Sequence, residues 1–541
     1  MHGQPIYNAY AFLSSGSAKA WCMRVMPTDA TYSNVVIVAK VKPDKTAGKL
    51  KIRFEAMKLE GLTDKEDVES MVSLLTETDP DVNGYMTYPL WAFYSQGRGV
   101  YGDSFRVRIS QSVQSDKENG FKNYRVEVLE LENTLNRKEL FVGTLYPDAV
   151  VGLTSLFIED KINDKVEGSQ KINTYVAQEN LQAIFDLYKT VKPNTTLTEE
   201  TIDFIFGKAA DGTVVDGLVI ESDNKTIALD APEGVPFSAG SDGAFTYNPA
   251  TLGDRETAID NVYKAAFRGD LDSAILSKRR TPAEVILDAG YSEEVKRELI
   301  ALINKRYDAY GYIDAGIINT LTDAITWGES MLGLGDRIFS KEFQHFKIRD
   351  PFSGKNIPVT ITFFYARMLP NHLKTYGPHI PFVGETYATL TGAINGSLKP
   401  VVDADDIDIK EKLYNLRLNY FQSLSENTFV RGTQTTSQNK WSDLSEEHNM
   451  RVLLEMKRKL EDMCASLIYD FAEAEDRKRF TEDANRLFAN GYAGIKVRSA
   501  EVKFEMSPFE EERSILHCYL AVVFRTIAKR VIVEIDINKR V

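Results

Sequence analysis

The sequence predicts an α+β protein of several domains, with a C-terminal core domain of two helices and antiparallel strands and a peripheral β-rich domain inserted into the chain. The length of 541 residues exceeds the size at which one hydrophobic core keeps growing, so about two to four domains are expected. Alternating apolar and charged residues predict strands in the N-terminal part. A helix-helix-strand order predicts a compact α+β unit at the C-terminal end.

Strands dominate the N-terminal part. Residues 21–41 contain two β-rich runs around the turn-like Pro27-Thr28-Asp29, and residues 50–54 alternate apolar with charged side chains. Residues 64–76 carry apolar side chains at helical spacing behind an acidic first turn, which predicts a short helix across that sheet. Residues 104–145 alternate again and predict half-exposed antiparallel strands.

The residue pattern changes twice in the middle of the chain. Residues 151–250 are polar, with Gly- and Ser-rich punctuation, and predict an inserted peripheral domain with its return linker. Residues 254–316 predict helix, short buried strand and a second helix, which Ser292 caps. Residues 346–400 predict two strands around a turn at Gly354 in an α/β layer with long surface loops. The apolar face of the Ser292-capped helix consists of Val295, Leu299, Leu302 and Ile303.

The C-terminal part has the clearest pattern. A long amphipathic helix follows Ser445, and a second helix covers residues 480–488. Strands are predicted near residues 502–506, 516–524 and 531–537. Helix, helix and three strands form a compact α+β unit.

These changes of pattern divide the chain into four predicted domains. They are a β-rich N-terminal domain (1–150), the inserted peripheral domain (151–250), an α/β middle domain (251–400) and a C-terminal domain (401–541). The C-terminal domain ends in a strand arm at about residues 527–541.

Composition argues against two kinds of partner. The 65 Lys and Arg residues against 78 Asp and Glu residues give a net charge of -13, the wrong sign for a nucleic-acid coat. No stretch approaches the roughly 18 apolar residues of a membrane span, so no membrane insertion is expected.

The three cysteines, Cys22, Cys464 and Cys518, cannot form an even disulfide framework, which favours a reducing assembly compartment.

Motif searches predict no catalytic, cofactor-binding or metal-binding residues. The phosphate-cradle, dinucleotide, nucleophile-elbow and zinc-protease motifs are absent from the sequence. His372 and His379 are seven residues apart, where a metal pair on one helix needs about four. The Asp403-Asp408 cluster lacks the glycine and distal glutamate of a calcium loop. Lys278-Arg279-Arg280 is too short for a nucleic-acid patch and fits a surface turn or a contact with an acidic patch on a neighbouring subunit.

The end of the chain is the candidate subunit interface. Residues 529–541 alternate, with one wholly apolar face and a second face that carries two carboxylates. The segment is either the last strand of the local sheet or a strand that pairs with the sheet of a neighbouring molecule. The residues assigned to this interface are Val531, Ile532, Val533, Glu534, Ile535, Asp536, Ile537, Lys539 and Arg540.

Several segments together resemble the contractile tail sheath proteins of bacteriophages and related injection machines. None of them is a catalytic signature, and the resemblance rests on the set in this order. The segments are RVMPTDATYSNVVI (24–37), GRGVYGDSFRVRI (97–109), FSAGSDGAF (237–245), AEVILDAGYSEEVKRELIALINKRYDAYGYID (283–314) and the C-terminal part through VEIDINK (533–539).

The resemblance implies identical subunits that stack as helical rings around a tail tube, with terminal arms joining neighbours through shared sheets. Contraction from an extended, high-energy state would drive the tube through the host envelope for genome delivery. The implied partners are further copies of the chain, the tube protein, and baseplate and tail-terminator proteins. The implied location is the virion tail, after assembly in the bacterial host cytoplasm. Residues 531–537 would be the donated strand, and residues 151–250 the outward domain.

Sheath proteins have a longer N-terminal region, including an arm, ahead of the segment matched here by residues 24–37. Twenty-three residues precede that segment in this sequence. The expectation is that the numbered chain is truncated, or that its N-terminal arm is absent or supplied differently. Three alternative functions stay open: another tail or baseplate component, the sheath of a phage-derived injection system, and a hydrolase whose carboxylates the motif search does not detect.

Overall fold

The computed structural model describes most of the chain. The described residues are 5–16, 19–112, 121–132, 134–151, 154–209, 212–222, 226–331, 338–351, 353–390, 393–394, 396–425, 428–437, 442–465, 473–511, 513 and 515–525.

Helices and strands are interspersed along these residues, as expected for a mixed α and β protein. The helices are α1 (Pro5–Ser14), α2 (Val68–Leu74), α3 (Ile158–Asn163), α4 (Gln178–Val191), α5 (Leu252–Arg268), α6 (Glu293–Arg306), α7 (Leu321–Ser330), α8 (Thr362–Tyr376), α9 (Gly384–Tyr387), α10 (Ile407–Asn415), α11 (Glu447–Ala465), α12 (Ala474–Gly491) and α13 (Pro508–Glu511). The strands are β1 (Asn34–Asp44), β2 (Lys49–Met57), β3 (Met86–Ser95), β4 (Phe105–Gln111), β5 (Asn123–Leu131), β6 (Leu135–Thr144), β7 (Val150–Val151), β8 (Thr154–Ser155), β9 (Ile172–Val176), β10 (Ile202–Asp203), β11 (Lys208–Ala209), β12 (Leu218–Ile220), β13 (Val235–Pro236), β14 (Val285–Leu287), β15 (Tyr310–Asp314), β16 (Phe339–Glu342), β17 (His345–Arg349), β18 (Asn356–Thr360), β19 (Val402–Asp403), β20 (Leu418–Asn419), β21 (Phe421–Ser425), β22 (Thr428–Arg431), β23 (Ser499–Glu505) and β24 (His517–Val523).

The chain forms two compact units. One consists of Met26–Ile259, and the other combines Met1–Val25 with Asp260–Val541. The protein is therefore a mixed α and β protein with several sheets and more than one compact unit. The finer division into four domains stays a prediction.

The unit Met26–Ile259 is built around a five-stranded sheet with the order β12-β2-β1-β3-β9. β1 is buried on both faces over residues 35–39, where its sequence is wholly apolar. Ile37 faces one core, and Val36 packs with Val68 of α2 on the other. The predicted helix across this sheet is thus confirmed. The β-rich run before Pro27-Thr28-Asp29 forms no strand, whereas the run after it forms β1, which is joined to β2 in an antiparallel hairpin. Its turn includes Gly48, whose φ of 62° favours glycine.

A second sheet of this unit has the order β13-β4-β5-β6, and β4, β5 and β6 pair antiparallel. This confirms the strands predicted for residues 104–145. In β4, Phe105, Val107 and Ile109 are buried in the core, while the arginines between them are partly exposed. The alternation read from the sequence therefore corresponds to one buried face and one wetted face.

Segments from residues 154–237 complete the core of the same unit. β9 pairs antiparallel with β3, and β12 pairs parallel with β2. On α4, Leu181, Ile184 and Tyr188 follow a helical stripe and are buried in the same cluster as the first sheet. This core consequently draws on residues from both sides of position 150.

The unit that contains Asp260–Val541 is built around a parallel sheet with the order β14-β15-β16-β20. α6 connects β14 to β15, and the Ser292 side chain accepts a hydrogen bond from the backbone N–H of Val295, as predicted. The predicted apolar face of α6 is buried against the sheet and consists of Val295, Leu299, Leu302 and Ile303.

Residues 346–400 agree with the prediction in part. β17 and β18 form the expected antiparallel hairpin around Gly354, whose φ is 69°. The second strand ends at Thr360, however, and α8 begins at Thr362. Phe363, Phe364 and Tyr365 read as strand residues because they are aromatic, but burial of the helix that contains them overrides that weak propensity.

The N-terminal helix α1 was not predicted. Ala11 is buried in the core of this unit, and the Asn8 side chain donates hydrogen bonds to the Asp288 carbonyl oxygen (2.9 Å) and to Thr362 Oγ1 (3.3 Å). Those two partners come from distant parts of the chain, so the local sequence of α1 contained no signal for this docking.

Candidate subunit interface

Two helices and a two-stranded sheet form the C-terminal end of the described chain. β23 and β24 pair antiparallel, with Val502 opposite Leu520. The predicted order of helix, helix and strands is confirmed through residue 525. Two helical stripes at four-residue spacing and the alternating residues of β23 build its core: Val452, Met456 and Leu460, then Phe480, Ala484 and Phe488, then Val502 and Phe504.

Side chains of α12 close the outer edge of β23. The Val502 N–H donates to Asn485 Oδ1 (2.7 Å), and Asn485 Nδ2 donates to the Val502 carbonyl oxygen (2.9 Å). The Phe504 N–H donates to Thr481 Oγ1 (3.2 Å). Thr481 and Asn485 are one helical turn apart and so face the same strand. The helix thus takes the place of a neighbouring strand on this side.

The outer edge of β24 is open within the described part of the chain. Since Val502 directs its backbone groups at Asn485, its pair with Leu520 is of the non-hydrogen-bonded type, and the Leu520 N–H and C=O point away from β23. Cys518 and Val522, two residues to either side, share this orientation. Among the described strands, β24 pairs with β23 alone. Such an edge is a template for another strand.

The side chains of β24 are as exposed as those of a strand that lacks a neighbour on one side. The helices bury Val502 and Phe504 of β23, whereas Leu520 and Val522 of β24 are only partly buried on the same face. On the opposite face, Tyr519 is 55% exposed. A further strand with one apolar face would cover the half-open face of β24.

The predicted interface residues lie outside the described residues, which end at Arg525 in this part of the chain. Their assignment therefore stays a prediction. They are Val531, Ile532, Val533, Glu534, Ile535, Asp536, Ile537, Lys539 and Arg540. In the sequence, seven residues (524–530) separate the end of β24 from Val531.

The sequence features considered for metal or cation chemistry have local structural roles. The His372 Nε2–H donates to the Ile380 carbonyl oxygen (3.0 Å), and burial lowers the pKa of His372 to about 4. The Asp406 carboxylate caps α10 through the Ile409 N–H. Lys278 forms an ion pair with Glu461 at 3.0 Å. The described residues contain no cluster of three metal-ligating side chains and no helix able to cross a membrane.

A buried ion-pair network is the main charged feature that sequence reasoning missed. Arg431 Nη2 lies 2.6 Å from Glu447 Oε2 and 3.1 Å from Glu342 Oε1. The Tyr312 hydroxyl donates to Glu447 Oε1 at 2.5 Å, and the guanidinium of Arg431 lies over the Tyr365 ring. These residues come from β15, β16, β22, α8 and α11, so no local motif contains them.

The two carboxylates of this network have opposite pKa shifts. Burial raises the pKa of Glu342 to about 7, which Arg431 only partly offsets. Burial also raises the pKa of Glu447, but the guanidinium groups of Arg431 and Arg451 outweigh it and hold that pKa below its usual range. Arg431 is closer to Glu447, which also accepts the Tyr312 hydroxyl. The carboxylates and Arg431 are at most 1% exposed, so the network lies inside the unit, where a substrate does not reach it.

Comparison with known proteins gave matches among solved structures. No protein-family model matches the chain, and no curated protein matches it. The sheath tail protein of Listeria innocua is 10% identical over 80% of this chain and 79% of its own, with a TM-score of 0.42. The sheath tail protein of Desulfitobacterium hafniense is 9% identical over 82% and 85%, with a TM-score of 0.36. The contracted sheath complex of an extracellular contractile injection system, PVC, is 13% identical over 47% and 70%, with a TM-score of 0.37.

These solved structures are all sheath proteins: two are sheath tail proteins and one is the sheath of a contractile injection system. The resemblance read from the sequence named the same class. The chain is similar to tail sheath proteins at low identity.

Proposed function

We propose that the chain is a non-enzymatic structural subunit of a contractile tail sheath. It polymerises as helical rings around a tail tube and contracts to drive the tube through the host envelope for genome delivery. Its partners are further copies of itself, the tube protein, and baseplate and tail-terminator proteins. It acts in the virion tail, after assembly in the bacterial host cytoplasm. A phage-derived injection system would use the same subunit chemistry.

One structural observation carries this proposal. Among the described strands, the C-terminal two-stranded sheet is closed on the β23 side by Asn485 and open on the β24 side. The chain then continues into residues 529–541, whose alternation is that of a strand with one apolar face. An acceptor edge and a donor pattern in the same chain are what polymerisation by strand exchange requires.

The donated strand acts as a tether that maintains connectivity. Ordering about ten residues costs on the order of 10–20 kcal/mol in backbone entropy, which offsets most of the gain from buried side chains and new hydrogen bonds. Larger surfaces supply the main energy of assembly. In the full proposal, residues 401–541 form the sheath's C-terminal core domain, and residues 151–250 form a peripheral β-rich domain that faces outward.

Negative-stain electron microscopy of the purified full chain tests the function. A sheath subunit is expected to form hollow, striated cylinders. A baseplate component would form no cylinders, and that result would overturn the proposal.

Substitutions in the terminal segment test the donor. Deletion of residues 527–541, or the pair Val533→Glu and Ile535→Glu on the apolar face, is expected to leave folded subunits that form no cylinders. The matched pair Glu534→Gln and Asp536→Asn changes the opposite face and is expected to retain assembly. Normal cylinders from the deletion variant would contradict the arm assignment.

A mixing experiment separates donation from a local strand. The deletion variant retains the open β24 edge but has no donor. The Leu520→Pro variant retains the donor but removes the outward N–H of the acceptor edge. Donation between molecules predicts a complex of one copy of each in size-exclusion chromatography with light scattering. Because Leu520→Pro would also release a strand that folds back on its own β24, the unsubstituted chain is measured as well: it stays monomeric if that strand is local.

A further inference from the structure

The core formed by α11, α12, β23 and β24 contains a pair of cysteines. Cys464 lies in the last turn of α11, and Cys518 lies in β24. Both side chains pack against the same apolar cluster. In the sequence α12 and β23 separate the two residues, so the fold alone brings them together.

The periodicity of each element directs its cysteine at this core. On α11, Cys464 continues the stripe of Met456 and Leu460 at four-residue spacing. On β24, Cys518 lies opposite the buried Phe504 of β23, and directly opposite residues of an antiparallel pair share one face of the sheet. The helix and the sheet therefore place their thiols in the same layer.

The two thiols are in direct contact. The Cys518 thiol donates a hydrogen bond to Cys464 Sγ. This hydrogen bond favours the Cys464 thiolate, so it lowers the pKa of Cys464 and raises that of Cys518. Since the thiolate is the nucleophile in thiol–disulfide exchange, Cys464 is the attacking group of the pair.

The pair is also partly accessible. Cys464 and Cys518 are each partly exposed, as are Leu520 and Val522 on the same half-open face of β24. Cysteines sealed in an apolar core are inert, whereas reactive cysteines are partly exposed. Contact between the sulfurs and partial exposure together are the conditions for oxidation of a dithiol.

We propose that Cys464 and Cys518 are a redox site, at which a low-molecular-weight disulfide such as oxidised glutathione converts the two thiols to an intramolecular disulfide. The Cys464 thiolate attacks one sulfur of oxidised glutathione, and one glutathione thiolate leaves. Cys518 then loses its proton and attacks Cys464 Sγ in the mixed disulfide, and the second glutathione leaves as a thiolate. The protein pair loses two electrons, and one oxidised glutathione becomes two reduced molecules.

The disulfide joins α11 covalently to β24. The closed loop contains α12 and β23, so the cross-link restricts the unfolded chain over most of this core. A reducing compartment keeps the pair as thiols, and an oxidising medium outside the cell converts it. The reaction takes place within one subunit and does not depend on the proposed sheath function.

Peptide mapping of the full chain tests the site. The chain is incubated with oxidised glutathione until the exposed Cys22 has formed its mixed disulfide, and is then alkylated and digested without reductant. Mass spectrometry is expected to find the Cys464 peptide joined to the Cys518 peptide, and dithiothreitol should separate them. Absence of the joined peptide after Cys22 has reacted would overturn the proposal.

Thermal unfolding tests the effect of the bond. The oxidised chain is expected to melt at a higher temperature than the reduced chain, because the cross-link lowers the entropy of the unfolded state. Cys464→Ser and Cys518→Ser should each abolish this difference, and the control Cys22→Ser should retain it. Equal melting temperatures of the oxidised and reduced unsubstituted chain would contradict a stabilising bond between α11 and β24.

The single variants also test the order of attack. In Cys518→Ser, Cys464 is expected to accumulate as the mixed disulfide with glutathione, because no second thiol resolves it. In Cys464→Ser, Cys518 should form its mixed disulfide more slowly. Faster reaction of Cys518 than of Cys464 would contradict the assignment of Cys464 as the attacking thiol.

Discussion

The side-chain amide of Asn485 binds the backbone of Val502 through two hydrogen bonds, one in each direction. An asparagine on a helix thereby pairs with a strand in the way that a neighbouring strand would. Within the described part of the chain, the free edge of the sheet of β23 and β24 is therefore on the β24 side. A subunit with one acceptor edge joins neighbours in a defined direction, which suits an ordered polymer better than edge-to-edge aggregation.

Asn485→Ala is expected to destabilise the unit by about 1–3 kcal/mol, because the Val502 N–H and C=O lose their partners. The measurement is the free energy of unfolding from urea denaturation followed by circular dichroism. Asn490→Ala serves as the control, since Asn490 is an exposed asparagine on the same helix. Equal stability of the two variants would show that the amide does not support the strand.

Leu520→Pro is expected to abolish cylinder formation while the subunit stays folded. The Leu520 N–H points to the open edge, so proline removes a donor that β23 does not use. Tyr519→Pro is the matched control. Tyr519 lies opposite Lys503 in a hydrogen-bonded pair, and proline there should disrupt the hairpin itself. Circular dichroism and electron microscopy together distinguish the outcomes; cylinders from Leu520→Pro would contradict an acceptor role for β24.

Arg431→Met is expected to cost about 3–5 kcal/mol of stability, because it leaves Glu342 and Glu447 buried without their shared cation. Arg297→Met breaks an exposed Arg–Glu pair and should cost less than about 1 kcal/mol. Chemical denaturation of both variants checks the difference. Similar losses would mean that burial does not strengthen the Arg431 network.

Glu342 should make stability depend on pH. Its pKa is raised to about 7 in the folded state from an ordinary value of 4.5, so the folded state holds the proton more tightly than the unfolded state. The resulting stabilisation is fully present below about pH 4.5 and is lost as the pH rises through about 7. Glu342→Gln mimics the protonated form and should lack this slope.

The free energy of unfolding of the unsubstituted chain minus that of Glu342→Gln should therefore fall between pH 5 and pH 8. Urea titrations at several pH values measure this difference. Glu329→Gln, at an exposed position, is the control and should leave the slope of the unsubstituted chain intact. A pH-independent difference for Glu342→Gln would refute the raised pKa.

Patterns of local spacing predicted much of the fold correctly. Helical stripes identified α6, α11 and α12, and alternation identified β4, β5 and β23. In β4 and β23 the alternation corresponds to one buried face and one more exposed face. The cap of α6 at Ser292 was also predictable, since capping depends on neighbouring backbone atoms. The terminal donor strand stays a prediction.

Secondary-structure prediction from the sequence failed for the buried helix α8. Phe363, Phe364 and Tyr365 have no local alternation that separates helix from strand, and the packing of α8 decided the outcome. A strand was also expected before Pro27-Thr28-Asp29, but residues 21–26 form none.

The sequence by itself determined the order of helices and strands at the C-terminal end, the alternating terminal segment and the resemblance to tail sheath proteins. These properties depend on residues a few positions apart, and chain geometry sets their periodicity. Only the tertiary structure decided that Asn485 closes β23 and that Arg431 joins Glu342 to Glu447. Those contacts join residues far apart in sequence, and long-range packing alone brings them together.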